Sequence, residues 1–334
     1  MSSTSHRPHE AHWPKRLPRT LAVPETSLWF NLEVAARRYP HKAAYVFFGR
    51  ALSYAELHAQ AEAIAGWLQQ AGVQKGDRVA LYMQNCPQYA VACYAILRAD
   101  AVVVPVNPMN RAEEFKHYIT DPDTQVAICS VDLAAFVQAA NEELPAAQRL
   151  AQVLVSRYTD AMPEGPIAPE LAPPPAMDAW LRGDPPLPEG YMRWSDALAA
   201  AHVPGPHTAG PDDLAQLPYT SGTTGMPKGC MHTHRTLMHN TVGGQWGHGG
   251  PEVVGLGVVP MFHATGMLYS VLGSVYQGST VVLLPRWDRD LAGRMISHCH
   301  VSHWTCIPTM IIDLFGSPDY KSFDLSSQIG RAHV

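Results

Sequence analysis

The sequence has few charged residues, no uninterrupted apolar run of membrane-spanning length and no regular cysteine spacing. Charged residues make up 16% of the chain, the formal net charge is −5, and the basic residues do not gather in runs, which argues against nucleic-acid binding. The apolar stretch 267–284 is interrupted by Ser270, Ser274, Gln277 and Gly278, so no membrane span is predicted. The six cysteines contain no Cys-x-x-Cys pair. We therefore expect a soluble cytoplasmic protein with reduced thiols.

Apolar residues are plentiful, because hydrophobic residues make up 46% of the 334 residues, enough for a large core. Residues 1–26 begin with a polar segment rich in His, Pro and Arg that lacks the apolar part of a signal peptide, and they are predicted to be a disordered lead-in. Nine of the twenty-six residues from Pro163 to Pro188 are proline. Since proline blocks regular helix, residues 161–190 are predicted to be an irregular surface excursion.

Elsewhere, short apolar runs alternate with helical patterns. Ser53, with Glu56 three residues later, forms a capping box that predicts a helix start, and Gly72 stands where its C-terminal cap belongs. Strands are predicted at 44–48, 79–83, 102–106, 125–129, 253–259, 280–284 and 303–307, and further helices at 88–98, 111–120, 195–201, 266–276, 290–300 and from His234. Continuously apolar strands separated by helices predict an α/β fold, with mostly parallel sheets covered by helices on both faces.

A glycine-rich segment, Tyr219–Gly229, follows one predicted strand and reads Tyr-Thr-Ser-Gly-Thr-Thr-Gly-Met-Pro-Lys-Gly. Glycines let backbone N–H groups approach an anion, and hydroxyls and a lysine add donors. Pro227 lies where the second glycine of a Walker-type P-loop belongs, so that class of site is excluded. An exposed hairpin rich in Thr and Gly is the alternative for so short a motif. The predicted phosphate-binding residues are Thr220, Ser221, Gly222, Thr223, Thr224 and Gly225, with Lys228 as a weaker member whose alternative role is only to steady the loop.

The whole eleven-residue segment resembles the signature of the adenylate-forming superfamily of acyl-CoA synthetases, luciferases and peptide-synthetase adenylation domains. Three other segments are also similar to family motifs: 52–57, 97–108, in which Asp100 stands where glycine is usual, and 260–266. The resemblance is closest to fatty-acid–CoA ligases. It implies an incomplete N-terminal domain of the adenylate-forming fold, spanning residues 27–328.

The resemblance also implies a chemistry. ATP with Mg²⁺ would activate a small carboxylic acid, expected to be a medium- or long-chain fatty acid, to an acyl-adenylate, which coenzyme A then takes as a thioester. An aryl-acid ligase or a peptide-synthetase adenylation domain is the alternative within the superfamily. The alternative from a different functional class is a non-catalytic remnant that merely binds nucleotide or a partner. Oligomeric state is left open.

Four residues are predicted to line the pocket for the acid: His263, Trp246, Thr309 and Met310. His263 follows an apolar strand, where ligands bind in open α/β sheets, although a single histidine there is more often a packing or capping residue. Trp246 lies in a glycine-rich stretch, which is as typical of an exposed loop as of a gate for a hydrophobic substrate. Zinc is not predicted, because the clustered His298, Cys299, His300 and His303 straddle a helix end and a strand start, where side chains diverge.

The superfamily carries further motifs for magnesium, for the ribose and for a mobile C-terminal lid domain with a catalytic lysine, and none of them is found in this sequence. Residues 329–334, Ile-Gly-Arg-Ala-His-Val, are expected to be a non-native tail. The chain alone is therefore expected to be inactive, with some apolar surface left uncovered.

Overall fold

The computed structural model of the protein describes residues 7–15, 17–220, 225–244 and 249–328. The strands are, in chain order, β1 (Ala43–Phe47), β2 (Arg50–Ser53), β3 (Arg78–Tyr82), β4 (Val102–Pro105), β5 (Val126–Ser130), β6 (Gln152–Ser156), β7 (Met192–Arg193), β8 (Leu214–Gln216), β9 (Tyr219–Thr220), β10 (Lys228–Gly229), β11 (His232–Thr233), β12 (Val254–Gly257), β13 (Thr280–Leu283) and β14 (His303–Trp304).

The α-helices are, in chain order, α1 (Leu28–Arg38), α2 (Tyr54–Gln70), α3 (Pro87–Arg98), α4 (Ala112–Thr120), α5 (Ala134–Glu143), α6 (Pro175–Leu181), α7 (Trp194–Ala200), α8 (His234–Gly243), α9 (Ala264–Met267), α10 (Gly273–Gln277), α11 (Arg289–His298) and α12 (Pro308–Phe315). A π-helical turn, Leu268–Leu272, joins α9 to α10. Within the described ranges, every helix is too short or too polar to cross a lipid bilayer.

The larger sheet joins seven strands of the described chain in the order β11-β8-β4-β3-β5-β6-β7. Its pairs are parallel except that of β11 with β8. Strands β4 and β5 are buried along their whole length, as continuously apolar strands are when helices cover both faces. The predicted α/β fold with mostly parallel sheets is confirmed.

The smaller sheet has the order β14-β12-β13-β1-β2, and its strands are parallel except β2, which is antiparallel to β1. Every residue of α3 is buried, and it belongs to one apolar cluster with residues of both sheets. Two tyrosine hydroxyls inside this cluster donate to backbone carbonyls: Tyr45 to Ser270 at 3.0 Å and Tyr54 to Ser279 at 2.6 Å. The two sheets therefore share one core.

Local signals predicted α2 correctly. Ser53 caps its first turn, with the Glu56 N–H donating to the Ser53 hydroxyl at 3.2 Å and the Ser53 N–H donating to the Glu56 carboxylate at 2.8 Å. Gly72 follows its last turn with a φ of 93°, a left-handed conformation that glycine adopts at low cost.

Other expectations differ from the structure. Pro8–His12 forms a 3-10 helix inside the predicted disordered lead-in. The proline-rich excursion contains α6, because a proline in the first helical turn lacks only an N–H that has no intrahelical acceptor. The helix predicted over 266–276 begins earlier and is interrupted by the π-helical turn. The strand predicted at 303–307 ends at Trp304. Helices α1 and α5 and strands β2 and β6 are among the elements that were not predicted.

Asp100 shows why glycine suits its position. Its φ is 60°, in the left-handed region that favours glycine. The buried carboxylate compensates by accepting from the Thr208 N–H at 2.9 Å, the Thr208 hydroxyl at 2.7 Å and the Ala209 N–H at 3.1 Å. It also lies 2.5 Å from Nδ1 of His207. The side chain thus fastens the segment that leads into β8.

Candidate nucleotide-binding site

The described ends of the glycine-rich segment form a two-stranded ribbon, β9 with β10. The strands are antiparallel, with Lys228 opposite Thr220 and Gly229 opposite Tyr219. We call these four residues the loop stem. Thr220 and Lys228 are both exposed, so a hydroxyl and an ammonium group stand side by side at the surface, where they can meet an anion.

The sequence of the stem suits this geometry. A Cβ at Gly229 would lie 3.2 Å from the Tyr219 ring, so a side chain there would press on the aromatic ring. The Cys230 N–H donates to the Pro218 carbonyl at 2.9 Å and extends the ribbon by one more hydrogen bond. At Gly225 no described atom lies within 4 Å of where a Cβ would be.

Helix α4 packs beside the stem. The Tyr219 hydroxyl donates to the Asp121 carboxylate at 2.5 Å, and Nε2 of His117 lies 2.7 Å from the Pro227 carbonyl oxygen. Burial first, and then the hydrogen bond to Asp121, raise the pKa of Tyr219. The hydroxyl therefore stays protonated and keeps donating.

Four of the predicted phosphate-binding residues, Ser221, Gly222, Thr223 and Thr224, lie outside the described residues, as does Trp246. Their roles stay predictions. What the described stem offers is a lysine ammonium group beside a threonine hydroxyl, a pair of donors that fits the phosphate groups of a nucleotide.

A second segment, from the end of β12 to His263, reaches the same edge of the molecule. Strands β3, β4 and β8 run parallel, so the segments that follow them lie at one edge of the larger sheet. Asn85, buried just after β3, donates from Nδ2 to the carbonyls of Val259 at 3.1 Å and Leu284 at 3.3 Å. Its Oδ1 accepts from the Met261 N–H at 2.8 Å. One amide therefore ties the carboxyl ends of β12 and β13 to that of β3.

Asn85 was not singled out by sequence reasoning. The available signal was a carboxamide directly after a buried strand and before a helix that begins at Pro87. Such a buried polar group requires partners, but the sequence does not say that they lie in the other sheet.

His263 is placed by this turn. It precedes α9 as its N-cap residue, its side chain is exposed, and its ring tilts against Phe262 at a centroid distance of 4.3 Å. Desolvation by its neighbours lowers the pKa of His263, which favours the neutral ring at pH 7. A Cβ at Gly266 would overlap the Pro260 carbonyl oxygen at 2.0 Å, so the turn requires glycine there.

Thr309 and Met310 both lie in the first turn of α12. Thr309 is exposed, and Met310 is half-buried against the main core. On the same helix, Ile312 is 72% and Phe315 55% exposed, so apolar surface is left open there. The pocket role of these residues remains a prediction.

Among the described residues, which include the histidine-rich stretch 298–303, no group of three or more His, Cys, Asp or Glu side chains is placed to hold a metal ion. The residues of that stretch span the end of α11 and the start of β14.

Comparison with known proteins identifies the family. A match to the family described as AMP-binding enzyme covers residues 32–332. The long-chain-fatty-acid–CoA ligase of Bacillus subtilis (strain 168) is 30% identical over 97% of this chain and 58% of its own length. Feruloyl-CoA synthase from an Amycolatopsis species is 31% identical over 87% of this chain and 51% of its own length.

A solved structure shares the fold. The crystal structure of the N-terminal domain of FACL13 from Mycobacterium tuberculosis, with an inhibitor bound, has a TM-score of 0.71 at 24% identity, covering 91% of this chain and 68% of that one. The chain thus spans between half and three fifths of the two curated relatives named above. Because the family match extends over nearly all of its residues, the chain belongs to the AMP-binding enzyme family.

Proposed function

We propose that this chain binds ATP for an acid–CoA ligase reaction. In the first step, a carboxylate oxygen of the acid attacks the α-phosphorus of ATP and pyrophosphate leaves. In the second step, the thiol of coenzyme A attacks the acyl carbonyl and AMP leaves. Mg²⁺ would accompany the ATP phosphates. Since charge moves onto the pyrophosphate in the first step, donors fixed near the β- and γ-phosphates favour it.

One observation carries the proposal. The eleven residues Tyr219–Gly229 match the family signature without a gap, and their described ends place Thr220 and Lys228 opposite each other at the surface. In this proposal Lys228 offsets phosphate charge, and Thr220 donates a hydrogen bond to a phosphate oxygen. Ser221 to Gly225 contribute backbone N–H groups and hydroxyls.

For the acid, we favour a fatty acid of medium or long chain. The relative from Bacillus subtilis, matched over 97% of this chain, is a long-chain-fatty-acid–CoA ligase, which supports this choice. The feruloyl-CoA synthase, at 31% identity, supports an aryl acid as the second candidate. His263 suits the wall of either pocket and need not act as a base, because a carboxylic acid is already ionised at pH 7.

Direct ATP titration of the chain, by calorimetry, tests the nucleotide site. Lys228→Ala should weaken ATP binding by about 10- to 100-fold, since a hydrogen bond to a charged group contributes roughly 1.5–3 kcal/mol. Lys321→Ala removes another exposed lysine, in the 3-10 helix Tyr320–Ser322, and should leave ATP binding unchanged. Equal losses in both variants, or no ATP binding by the unaltered chain, would contradict the proposed site.

ATP–pyrophosphate exchange with a panel of acids tests the reaction, measured on a protein in which this chain is extended to the full length of its curated relatives. Exchange fastest with palmitate or octanoate is the expected result, and exchange fastest with ferulate would establish the second candidate instead. ATP binding by the extended protein without exchange for any acid would count against a ligase reaction and favour a nucleotide-binding role.

A further inference from the structure

Helix α4 and the residue that follows it, Asp121, contact both arms of the loop stem. About a hundred residues of the chain lie between the helix and the stem. The Asp121 carboxylate accepts from the Tyr219 hydroxyl, which lies on the arm formed by β9. His117 meets the carbonyl of Pro227, which leads directly into β10. Two side chains one helical turn apart therefore fix the entry and the exit of the glycine-rich segment.

The Tyr219 ring lies among three neighbours. His117 meets it edge-on, with centroids 5.4 Å apart and planes at 82°, and Tyr118 is tilted against it at 4.8 Å and 55°. Gly229 leaves just enough space on the opposite arm. Edge-on and tilted aromatic contacts add stabilisation beyond the buried area, so the ring is held in one orientation that aims its hydroxyl at Asp121.

The hydrogen bond of His117 has a fixed direction. A carbonyl oxygen only accepts, so Nε2 of His117 must carry the proton and donate to Pro227. The neutral Nε2–H tautomer and the cation both satisfy this. A glutamine amide has a comparable reach and donates in the same way, whereas a leucine fills the space and donates nothing.

The helix that supplies these side chains is itself anchored to the larger sheet. Phe115 is fully buried and stacks on Tyr82 of β3 at a centroid distance of 4.8 Å. Beyond the last turn, the Thr124 hydroxyl donates to the Tyr118 carbonyl at 2.9 Å. Contacts thus run from the sheet through α4 to the stem.

We propose that His117 and Asp121 are positioning residues for nucleotide binding, which hold the loop stem so that Thr220 and Lys228 face the phosphates. The effect on ATP rests on the proposed function. The attachment of the stem to α4 does not, and it can be measured by itself.

The experiment compares His117→Leu, His117→Gln and Tyr219→Phe with the unaltered chain. Amide hydrogen exchange over residues 217–231 reports on the stem, and the same measurement over α11 reports on the rest of the fold. Titrations with ATP and AMP report on phosphate binding. His239→Leu is the matched control, because that exposed histidine bonds the Arg235 carbonyl within its own helix, α8.

His117→Leu should speed exchange in the stem about 2- to 10-fold, the effect of one lost hydrogen bond on a local opening. It should leave α11 unchanged and weaken ATP binding by a similar factor, more than AMP binding. His117→Gln should restore both values to near those of the unaltered chain. Tyr219→Phe should speed stem exchange through loss of the bond to Asp121.

Stem exchange at the unaltered rate in both His117→Leu and Tyr219→Phe would overturn the proposal. If His117→Leu loosens α11 equally, its effect is global, and Tyr219→Phe, which removes a single hydroxyl, decides the question. Failure of His117→Gln to restore the stem would also count against a positioning hydrogen bond. An unaltered chain that binds no ATP would contradict the proposed function, while the exchange comparison would still decide whether α4 holds the stem.

Discussion

Two segments near the same edge of the larger sheet are held by different kinds of contact, one by a buried side chain and the other in part by an exposed one. The turn before His263 is fastened by Asn85, a buried carboxamide that bonds three backbone groups of the smaller sheet and the segments following it. The loop stem is fastened by His117 of α4 and by Asp121, the exposed residue that follows the last turn of α4. A buried polar contact is costly to break because its partners find no water, whereas water can replace an exposed one. The junction of the sheets is thus the fixed part of the site, and the stem is the adjustable part.

Removing the buried side of this comparison should have the largest effect. Asn85→Ala leaves the Met261 N–H without its acceptor and removes the bonds to the Val259 and Leu284 carbonyls. We expect the free energy of unfolding to fall by about 3 to 4 kcal/mol, measured by urea denaturation. Asn240→Ala, at an exposed position of α8, serves as the control and should change it by less than about 0.5 kcal/mol. If Asn85→Ala also lowers the free energy of unfolding by less than about 0.5 kcal/mol, the buried contact is no harder to break than an exposed one.

Lowering the pH should destabilise the fold through His234, whose hydrogen bond runs in the opposite direction to that of His117. His117 donates, but His234 is buried and its Nδ1 accepts from the Leu28 N–H at 3.1 Å. Burial, and then the nearby His207, lower the pKa of His234 to about 4. Because this value lies below the ordinary 6.5, protonation favours the unfolded chain. The stability is present above about pH 6.5 and is lost as the pH falls toward 4, by about 2 to 3 kcal/mol.

Denaturation at pH 7, 5.5 and 4.5 measures this loss. Carboxyl groups also titrate in this range, so the comparison is with His234→Asn, whose carboxamide oxygen can accept from Leu28 without titrating. The variant should lose about 2 kcal/mol less than the unaltered chain between pH 7 and 4.5. Parallel pH curves for the two proteins would show that His234 does not contribute.

The smallest expected effect lies in the stem. Gly229→Ala brings a methyl group to 3.2 Å from the Tyr219 ring, and the ring can yield by a small shift on its exposed side. We expect a loss of about 1 kcal/mol in the free energy of unfolding. Gly225→Ala, where no described atom lies within 4 Å of the added carbon, should change it by less than about 0.5 kcal/mol. Equal effects of the two substitutions would mean that the contact with Tyr219 carries no strain.

Local sequence signals predicted a good part of the fold. Ser53 and Glu56 lie three residues apart and cap α2 as expected, and continuous apolar runs located β4 and β5. The glycine-rich segment identified the family because its information is contained in consecutive residues. The π-helical turn and α6 were missed because the first is set by packing in the shared core, and the second begins within a proline run.

The contacts that position the site were not predictable in this way. Asn85 bonds to Leu284, 199 residues away, and Tyr219 bonds to Asp121, 98 residues away. Periodicity and motifs report on neighbours along the chain, and neither says which loops meet at the edge of a sheet. These partners are determined by the strand order of the larger sheet, which places β3 near β8, and by the packing of the two sheets, which brings the end of β12 to Asn85.

The contacts of Asp100 restrict which substitutions residue 100 can accept. Glycine at this position would relieve the strained backbone, but it would leave Thr208 and Ala209 without their acceptor and His207 without its carboxylate neighbour. Substituting residues 207–209 instead would remove only the Thr208 hydroxyl and the His207 ring, because the Thr208 and Ala209 N–H groups belong to the backbone and would still donate to the carboxylate. The coupling is therefore one-sided: side chains of the segment 207–209 can change while Asp100 is in place, whereas replacing Asp100 leaves backbone donors without their acceptor.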